Sequence, residues 1–220
     1  GFHLAKKFLS ENYKVDIIDN FQRGKLDKLF LELAKHSRIK LIKKDINLIN
    51  EKKFPKKYKY IIHLSAIVGV KNVVLNPSKV LNQNITQLIK VIEIAKKQSK
   101  LNKIVFASTS EVYAETLKIF GIKFPTPENS PITFGEKNVK RSVYALSKFY
   151  GERLCLTSNL PTVIIRPHNI YGPRMGNSHV IPELINKIIT KKKLNVFSPN
   201  HKRSFCYIDD AINFIYILCT

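Results

Sequence analysis

Apolar runs rich in β-branched residues alternate along the chain with longer stretches of helical period, and this alternation constrains the fold more than any other feature. It is typical of βαβ units, in which helices connect neighbouring parallel strands. The predicted strands are Lys14–Asp19, Ile39–Lys43, Tyr60–Leu64, Lys103–Ala107 and Thr162–Arg166, with a shorter one near Asn195–Phe197. The predicted helices are Phe2–Glu11, Lys25–His36, Ser78–Ser99, Ser142–Ser158, Val180–Thr190 and Asp209–Leu218. The sequence therefore predicts an α/β protein with a doubly wound parallel sheet.

The segment Ala114–Arg141 interrupts this pattern. It contains several prolines and two glycines, which break helices and strands and favour turns. Long segments of this kind in compact domains are often functional. We therefore predict a long loop that lies over a site.

The chain is strongly basic, since 38 Lys and Arg residues against 16 Asp and Glu residues give a formal charge of +22. A nucleic-acid-binding protein would show such a charge, but only seven of the basic residues are Arg, the residue that phosphate and base readers favour. Lys pairs such as Lys6-Lys7 and Lys96-Lys97 are typical of a solvated face. We expect a Lys-rich surface and no nucleic-acid partner. A nucleic-acid-binding domain is the alternative that net charge alone favours.

Hydrophobic and cysteine patterns limit the compartment. No apolar run approaches the roughly 18 residues that a membrane-spanning helix needs, and the N-terminus lacks the plan of a signal peptide. The three cysteines, Cys155, Cys206 and Cys219, are odd in number and lack the Cys/His spacing of a zinc site. We expect a cytoplasmic protein with buried thiols, no membrane contact and no metal.

The start of the chain has half of a dinucleotide-binding pattern. Gly1 leads directly into an amphipathic helix, and the strand that follows closes on Asp19, 18 positions later. In dinucleotide-binding folds a glycine-rich turn opens the first helix, and an acid about this far along binds the adenosine ribose. Gly1 is therefore predicted to be the third glycine of that turn. The first strand and the first two glycines are expected upstream.

A Tyr-x-x-x-Lys sequence lies on a predicted helix in the middle of the chain. Tyr144 and Lys148 are one turn apart, so their side chains share a helix face. Thr109 follows a predicted strand, at the edge where doubly wound sheets bind ligands. A neighbouring ammonium favours a phenolate, so Tyr144 is a candidate base for a substrate hydroxyl.

Further segments occur in a consistent order along the whole chain. They are Gly1-Phe2, Asp19-Asn20-Phe21-Gln22-Arg23-Gly24, Asp45-Ile46, Ile62-His63-Leu64-Ser65-Ala66, Asn84, Ala107-Ser108-Thr109-Ser110-Glu111-Val112-Tyr113, Tyr144 with Lys148, Arg166-Pro167-His168-Asn169-Ile170-Tyr171-Gly172-Pro173-Arg174 and Arg203-Ser204-Phe205-Cys206-Tyr207-Ile208-Asp209-Asp210. Together they resemble the extended short-chain dehydrogenases that act on nucleotide sugars, the NAD-dependent epimerase/dehydratase family.

The resemblance implies a fold, a cofactor and a set of site residues. It implies a Rossmann-like NAD-binding domain over residues 1–175 with its first strand missing, and a partial substrate-binding lobe and returning segment over 176–220. The residues that it assigns to NAD are Gly1, Asp19, Asn20, Asp45, Ile46, Leu64, Ser65, Ala66, Asn84, Tyr144 and Lys148. Its catalytic residues are Tyr144, Lys148, Thr109 and Glu111, and its residues for a nucleotide-diphosphate sugar are Ser110, Asn169 and Arg203. It also implies a homodimer.

The resemblance implies transient oxidation of a sugar hydroxyl to a keto intermediate, with epimerisation or dehydration as the outcome. Ser110 stands where sugar 4,6-dehydratases carry an Asp acid, whereas Thr109-Ser110-Glu111 is closer to the pattern of nucleotide-sugar decarboxylases. Decarboxylation of a UDP-glucuronate-type substrate is therefore an open alternative. A catalytically idle NAD-binding scaffold or sensor is the alternative from another class.

Overall fold

The structure is a computed structural model that describes residues 1–135, 140, 142–177, 179–190, 193, 194, 196, 199, 200 and 202–220, without the side chain of Lys71. The short strand predicted near Asn195–Phe197 lies outside these described residues, apart from Val196.

All strand pairs among the described residues are parallel. The strands are β1 (Val15–Asp19), β2 (Ile39–Lys43), β3 (Tyr60–His63), β4 (Lys103–Ala107), β5 (Thr162–Ile165), β6 (Asn169–Tyr171) and β7 (Phe205–Tyr207). They form three hydrogen-bonded groups, β1–β2, β3–β4–β5 and β6–β7. The predicted parallel α/β architecture is confirmed.

The helices connect these parallel strands. They are α1 (Phe2–Ser10), α2 (Lys28–Ala34), α3 (Val70–Leu75), α4 (Pro77–Lys96), α5 (Ala114–Phe120), α6 (Ser142–Leu156), α7 (Val180–Ile189) and α8 (Ile208–Cys219), and short 3-10 helices cover Ile46–Leu48 and Ser110–Tyr113. Local sequence explains several starts: the Asp27 carboxylate accepts the Phe30 amide of α2, and Pro77 opens α4. Within the described residues, no helix combines the length and apolarity needed to cross a bilayer.

Strand β4 lies between two helical layers. Ile104 and Phe106 point into a core shared with α4 and α6, whereas Val105 points to the opposite face, where α1 and α8 pack. This follows from the period of two in a strand, and all three side chains are almost fully buried. Helices therefore cover both faces of the sheet, as a doubly wound fold requires.

The loop predicted over Ala114–Arg141 is partly wrong. Its first seven residues form α5, with Glu115 in the first turn and Lys118 in the last, where each charge favours the helix dipole. Gly121 ends the helix at a φ of +73°. The irregular segment begins only after this glycine, because the prolines are confined to the part that follows it.

Candidate active site

Polar side chains gather where the parallel strands end. Strand β1 ends at Asp19, and β4 runs directly into Ser108 and Thr109. In the β4–β5 pair, Ala107 lies opposite Ile165, so these strands end side by side. This carboxyl edge is the place where doubly wound sheets bind their ligands.

Tyr144, in the first turn of α6, faces the segment that follows β4. Its side chain lies close enough to Thr109, which is buried, to interact with it. Burial raises the pKa of Tyr144 above its usual value, and the negative charge of Glu111 raises it further. The positive charge of Arg23 and the contact with Thr109 both lower the pKa of Tyr144, but they do not cancel the effect of burial. The structure therefore brings Tyr144, Thr109 and Glu111 together.

Lys148 is buried one turn beyond Tyr144. Its Nζ donates a hydrogen bond to the Ala107 carbonyl at 2.7 Å and lies 6.0 Å from the centre of the Tyr144 ring. Burial lowers the pKa of Lys148 to about 8. The last carbonyl of β4 thus holds this ammonium beneath the tyrosine ring. The predicted effect of Lys148 on the ionisation of Tyr144 stays a prediction.

Asn84, buried on α4, ties the segment after β3 to α6. Its Oδ1 accepts the Ile67 amide at 2.7 Å, and its Nδ2 donates to the Ile67 carbonyl at 3.3 Å and to Ser147 Oγ at 3.1 Å. Leu64, Ser65 and Ala66 lead directly into this anchored backbone. The amide of Asn84 therefore fixes the position of these three predicted cofactor-binding residues.

The surroundings of Asp19 fit a dinucleotide. Its Oδ1 accepts the Phe21 amide at 2.8 Å, and a Cβ on Gly24 would stand 3.5 Å from its Oδ2, so the glycine leaves room beside that oxygen. The Asp19 carboxylate also lies near Gly1, at the start of α1. A carboxylate beside a helix N-terminus suits ribose hydroxyls and a pyrophosphate. These residues fit NAD.

A second polar group continues this surface. Asn20 Nδ2 donates to Asp45 Oδ2 at 3.0 Å, and the Asn47 amide donates to Asp45 Oδ1 at 2.9 Å. Ile46 lies between Asp45 and Asn47 in the short 3-10 helix. Asn47 Oδ1 is buried and has no hydrogen-bond partner among the described residues. This orphaned acceptor suits a ligand that carries an amino donor.

The predicted substrate residues fall into two places. Asn169 begins β6, Arg203 lies two residues before β7, and both are exposed. Asn169 Nδ2 donates to the carbonyl of Ser204, the residue after Arg203, at 3.0 Å. Ser110 lies instead beside Thr109, and its amide donates to the Pro167 carbonyl at 3.2 Å. Pro167 is two residues before Asn169, so this hydrogen bond links the two places.

Sequence reasoning missed the role of one buried ion pair. Glu152, on α6, is 2% exposed and pairs with Arg166, just beyond β5. The available signal was the position of Glu152 one turn after Lys148, on the face of α6 that also carries the buried Cys155. A charge on a buried helix face requires a partner.

A doubly wound sheet with a Tyr-x-x-x-Lys pair and a Thr at its carboxyl edge defines a protein of the short-chain dehydrogenase class. More particularly, the chain belongs to the NAD dependent epimerase/dehydratase family, whose sequence profile matches residues 1–220.

Similar proteins within this family catalyse different reactions. The chain is 32% identical over 220 residues to a UDP-N-acetyl-alpha-D-glucosaminuronate decarboxylase of Bacillus cytotoxicus, a match covering 96% of this chain and 65% of that protein. It is 30% identical to a dTDP-D-glucose 4,6-dehydratase of Dictyostelium discoideum, a match covering 97% of this chain and 50% of that protein. The chain therefore spans less than two thirds of the length of either relative.

A solved structure is also similar. It is the UDP-glucuronic acid 4-epimerase of Bacillus cereus in complex with UDP-glucuronic acid and NAD, with a TM-score of 0.81 and 28% identity. The match covers 99% of this chain and 69% of that one.

Proposed function

We propose that the protein is an NAD-dependent nucleotide-sugar epimerase/dehydratase that transiently oxidises a sugar hydroxyl to a keto intermediate. The observation that carries this proposal is the position of the Tyr144 side chain, which lies close to Thr109 and within the electrostatic reach of Glu111. With a sugar bound beside it, such a cluster would supply a proton acceptor, a hydrogen-bond donor and a second acid–base group. The similar Bacillus cereus enzyme binds a UDP-sugar and NAD.

Each residue of the cluster has a distinct role. Tyr144 accepts the proton of the sugar hydroxyl, and Thr109 donates a hydrogen bond to the same oxygen as negative charge develops there. Lys148, held by the Ala107 carbonyl at 2.7 Å, keeps a positive charge below the tyrosine ring. Asp19 and the start of α1 would hold NAD, with Asn20, Asp45 and Ile46 on its adenine side. The nicotinamide of NAD, when bound, supplies hydride acceptance.

Asn169 and Arg203 are proposed to bind the nucleotide diphosphate of the substrate. Arg203 is exposed, and its guanidinium can form a bidentate contact with a phosphate. Ser110 is proposed to contact the sugar, because it lies between Thr109 and Glu111. The division into a cofactor domain over 1–175 and a partial substrate lobe over 176–220 remains part of this proposal.

The quaternary state and the compartment are also proposals. The packed pair α4 and α6 exposes Ile89, Leu146 and Tyr150, which together offer an apolar surface for a homodimer. The three cysteines are free thiols, two of them buried, which favours a reducing compartment such as the cytoplasm.

Decarboxylation is the second candidate outcome. Glu111 favours it, because a carboxylate beside the reacting carbon can handle the proton that the product needs after carbon dioxide leaves. The 32% identity to a decarboxylase that acts on a UDP-sugar acid favours it as well. Epimerisation, by contrast, returns the hydride to the other face and needs no such group.

The test is to purify the protein, identify any dinucleotide that copurifies, and follow products from a panel of nucleotide sugars with and without a C5 carboxylate. Tyr144→Phe should keep cofactor binding and lose roughly 10²-fold or more of turnover. Tyr216→Phe, on α8 with its hydroxyl 3.5 Å from Glu11 Oε2, lies outside this cluster and is the matched control that should leave turnover unchanged.

Three results would contradict the proposal. Near-normal turnover in Tyr144→Phe would make the pair structural. NAD binding without turnover of any nucleotide sugar would favour the idle scaffold. Tight, salt-sensitive binding of DNA or RNA without NAD binding would favour the nucleic-acid alternative. Carbon dioxide release by the wild type from a nucleotide sugar with a C5 carboxylate would instead select decarboxylation as the outcome, and Glu111→Gln should then slow the protonation that follows this release.

A further inference from the structure

The Glu152 carboxylate accepts three hydrogen bonds inside the protein. Ser108 Oγ donates to Oε1 at 2.5 Å, Arg166 Nε donates to Oε1 at 2.9 Å, and Arg166 Nη2 donates to Oε2 at 2.6 Å. The arginine contact is bidentate, which fixes the orientation of both groups. Glu152 lies on α6, the helix that also carries Tyr144 and Lys148.

Arg166 carries the contact onward. Its Nη1 donates to the Tyr113 hydroxyl and, at 2.9 Å, to the Glu128 carbonyl in the irregular segment after α5. The guanidinium carbon also lies 5.0 Å from the centre of the Tyr113 ring. One ion pair therefore touches Ser108 and Tyr113, and these two residues bracket Thr109, Ser110 and Glu111.

We propose that Glu152 and Arg166 are positioning residues that set the distance between the Tyr144–Lys148 face of α6 and the Thr109–Glu111 segment. This inference rests on the proposed function for its catalytic consequence. The contacts join α6 directly to Ser108 and, through Arg166, to Tyr113, so a shift of the helix along its axis strains the bonds at both ends of the segment. A buried ion pair is often no more stabilising than apolar residues of the same size, so a role in fixing geometry accounts for its presence better than stability does.

The first arm of the test measures turnover. Glu152→Gln keeps the size of the side chain and removes its charge, and Ser108→Ala removes only the hydroxyl that donates to Oε1. Both should lower kcat, by about 10-fold or more and about 3-fold respectively, a graded response expected of misplaced catalytic groups. KM and cofactor affinity should change by less than 2-fold. Glu51→Gln, which breaks a surface pair with Lys90 at 2.9 Å, is the matched control and should leave kcat unchanged.

The second arm needs no substrate. The amides of Ser108, Ser110 and Glu111 donate to the Ile165 carbonyl, the Pro167 carbonyl and Thr109 Oγ1. Hydrogen–deuterium exchange of these amides should accelerate at least 10-fold in Glu152→Gln, while the amides of α4 keep their wild-type rates. Ser108→Ala serves the same measurement if Glu152→Gln does not fold.

The outcomes separate the two proposals. Unchanged exchange at residues 108–111, or exchange that rises equally in α4, would overturn the positioning role whatever the activity. A normal kcat in Glu152→Gln, with the wild type active, would overturn it too. A wild type without turnover on any nucleotide sugar would overturn the proposed function alone, because faster exchange confined to residues 108–111 would still support the positioning of the segment.

Discussion

Gly151→Ala should destabilise the protein, although alanine is the better helix former. Gly151 lies within α6, and a Cβ there would stand 2.5 Å from Phe106 Cζ and 2.9 Å from Leu88 Cδ2. Both neighbours are nearly fully buried, at 2% and 1% exposure, so neither can swing into solvent. Overpacking costs about 1–3 kcal/mol, whereas the gain in helix propensity is about 0.8–1 kcal/mol. We expect a net loss of about 1 kcal/mol in the free energy of unfolding.

The assay is urea-induced unfolding of a double-mutant cycle. Phe106→Leu removes the ring atom that lies nearest the added methyl group, so Gly151→Ala should cost about 1 kcal/mol less in that background. Arg153→Ala, at an exposed position of the same helix, is the control and should change stability by less than about 0.5 kcal/mol. A stabilisation by Gly151→Ala of about 1 kcal/mol in the wild-type background would refute the close packing of α6 on β4, since propensity alone would then decide.

Three further predictions concern charge. The protein should bind NAD more tightly than NADP, because the Asp19 carboxylate would repel a 2′-phosphate. Asp19→Ser should reduce the difference in affinity between the two dinucleotides. A titration that shows tighter NADP binding to the wild type would contradict this. Burial lowers the pKa of Lys148 to about 8. Between pH 8 and about 10.5, the unfolded chain therefore holds a proton that the folded chain has released. The free energy of unfolding of the wild type should rise relative to that of Lys148→Met as pH increases through this window. Parallel profiles of unfolding free energy against pH would exclude this. Burial, with the charge of Lys148, lowers the pKa of His63 to about 3. The wild type should therefore lose stability relative to His63→Phe as pH falls from about 6.5 to 3. Acid-unfolding curves of the two proteins test this, and curves that keep a constant separation would contradict it.

The strands and long helices could be predicted from the sequence because each buries one regular set of apolar residues. Strands β2 and β4 have their predicted bounds, Ile39–Lys43 and Lys103–Ala107. Strands β6 and β7, of three residues each, were not predicted as strands. Such short segments are too brief to show a period, and they form through pairing with each other rather than through local preference.

Part of the candidate site could also be predicted. The meeting of Thr109 and Tyr144 follows from the rule that parallel strands end at one edge, because Thr109 directly follows β4. The contacts of Lys148 could not be predicted in this way, since the sequence suggested the tyrosine as its partner and the structure gives it the Ala107 carbonyl. Side-chain partners depend on which backbone atoms come within reach after the layers pack, and no local spacing encodes that.

Strand β4 has a consequence for how the protein comes apart. Its five residues supply both apolar layers at once, with Ile104 and Phe106 on one face and Val105 on the other. If α4 and α6 separate from β4, one face of this strand becomes exposed to solvent while its other face still supports α1 and α8. If α1 and α8 separate instead, the opposite face of β4 becomes exposed. The two apolar cores share strand β4, so the stability of each depends on the other. They should therefore unfold together in a single cooperative transition.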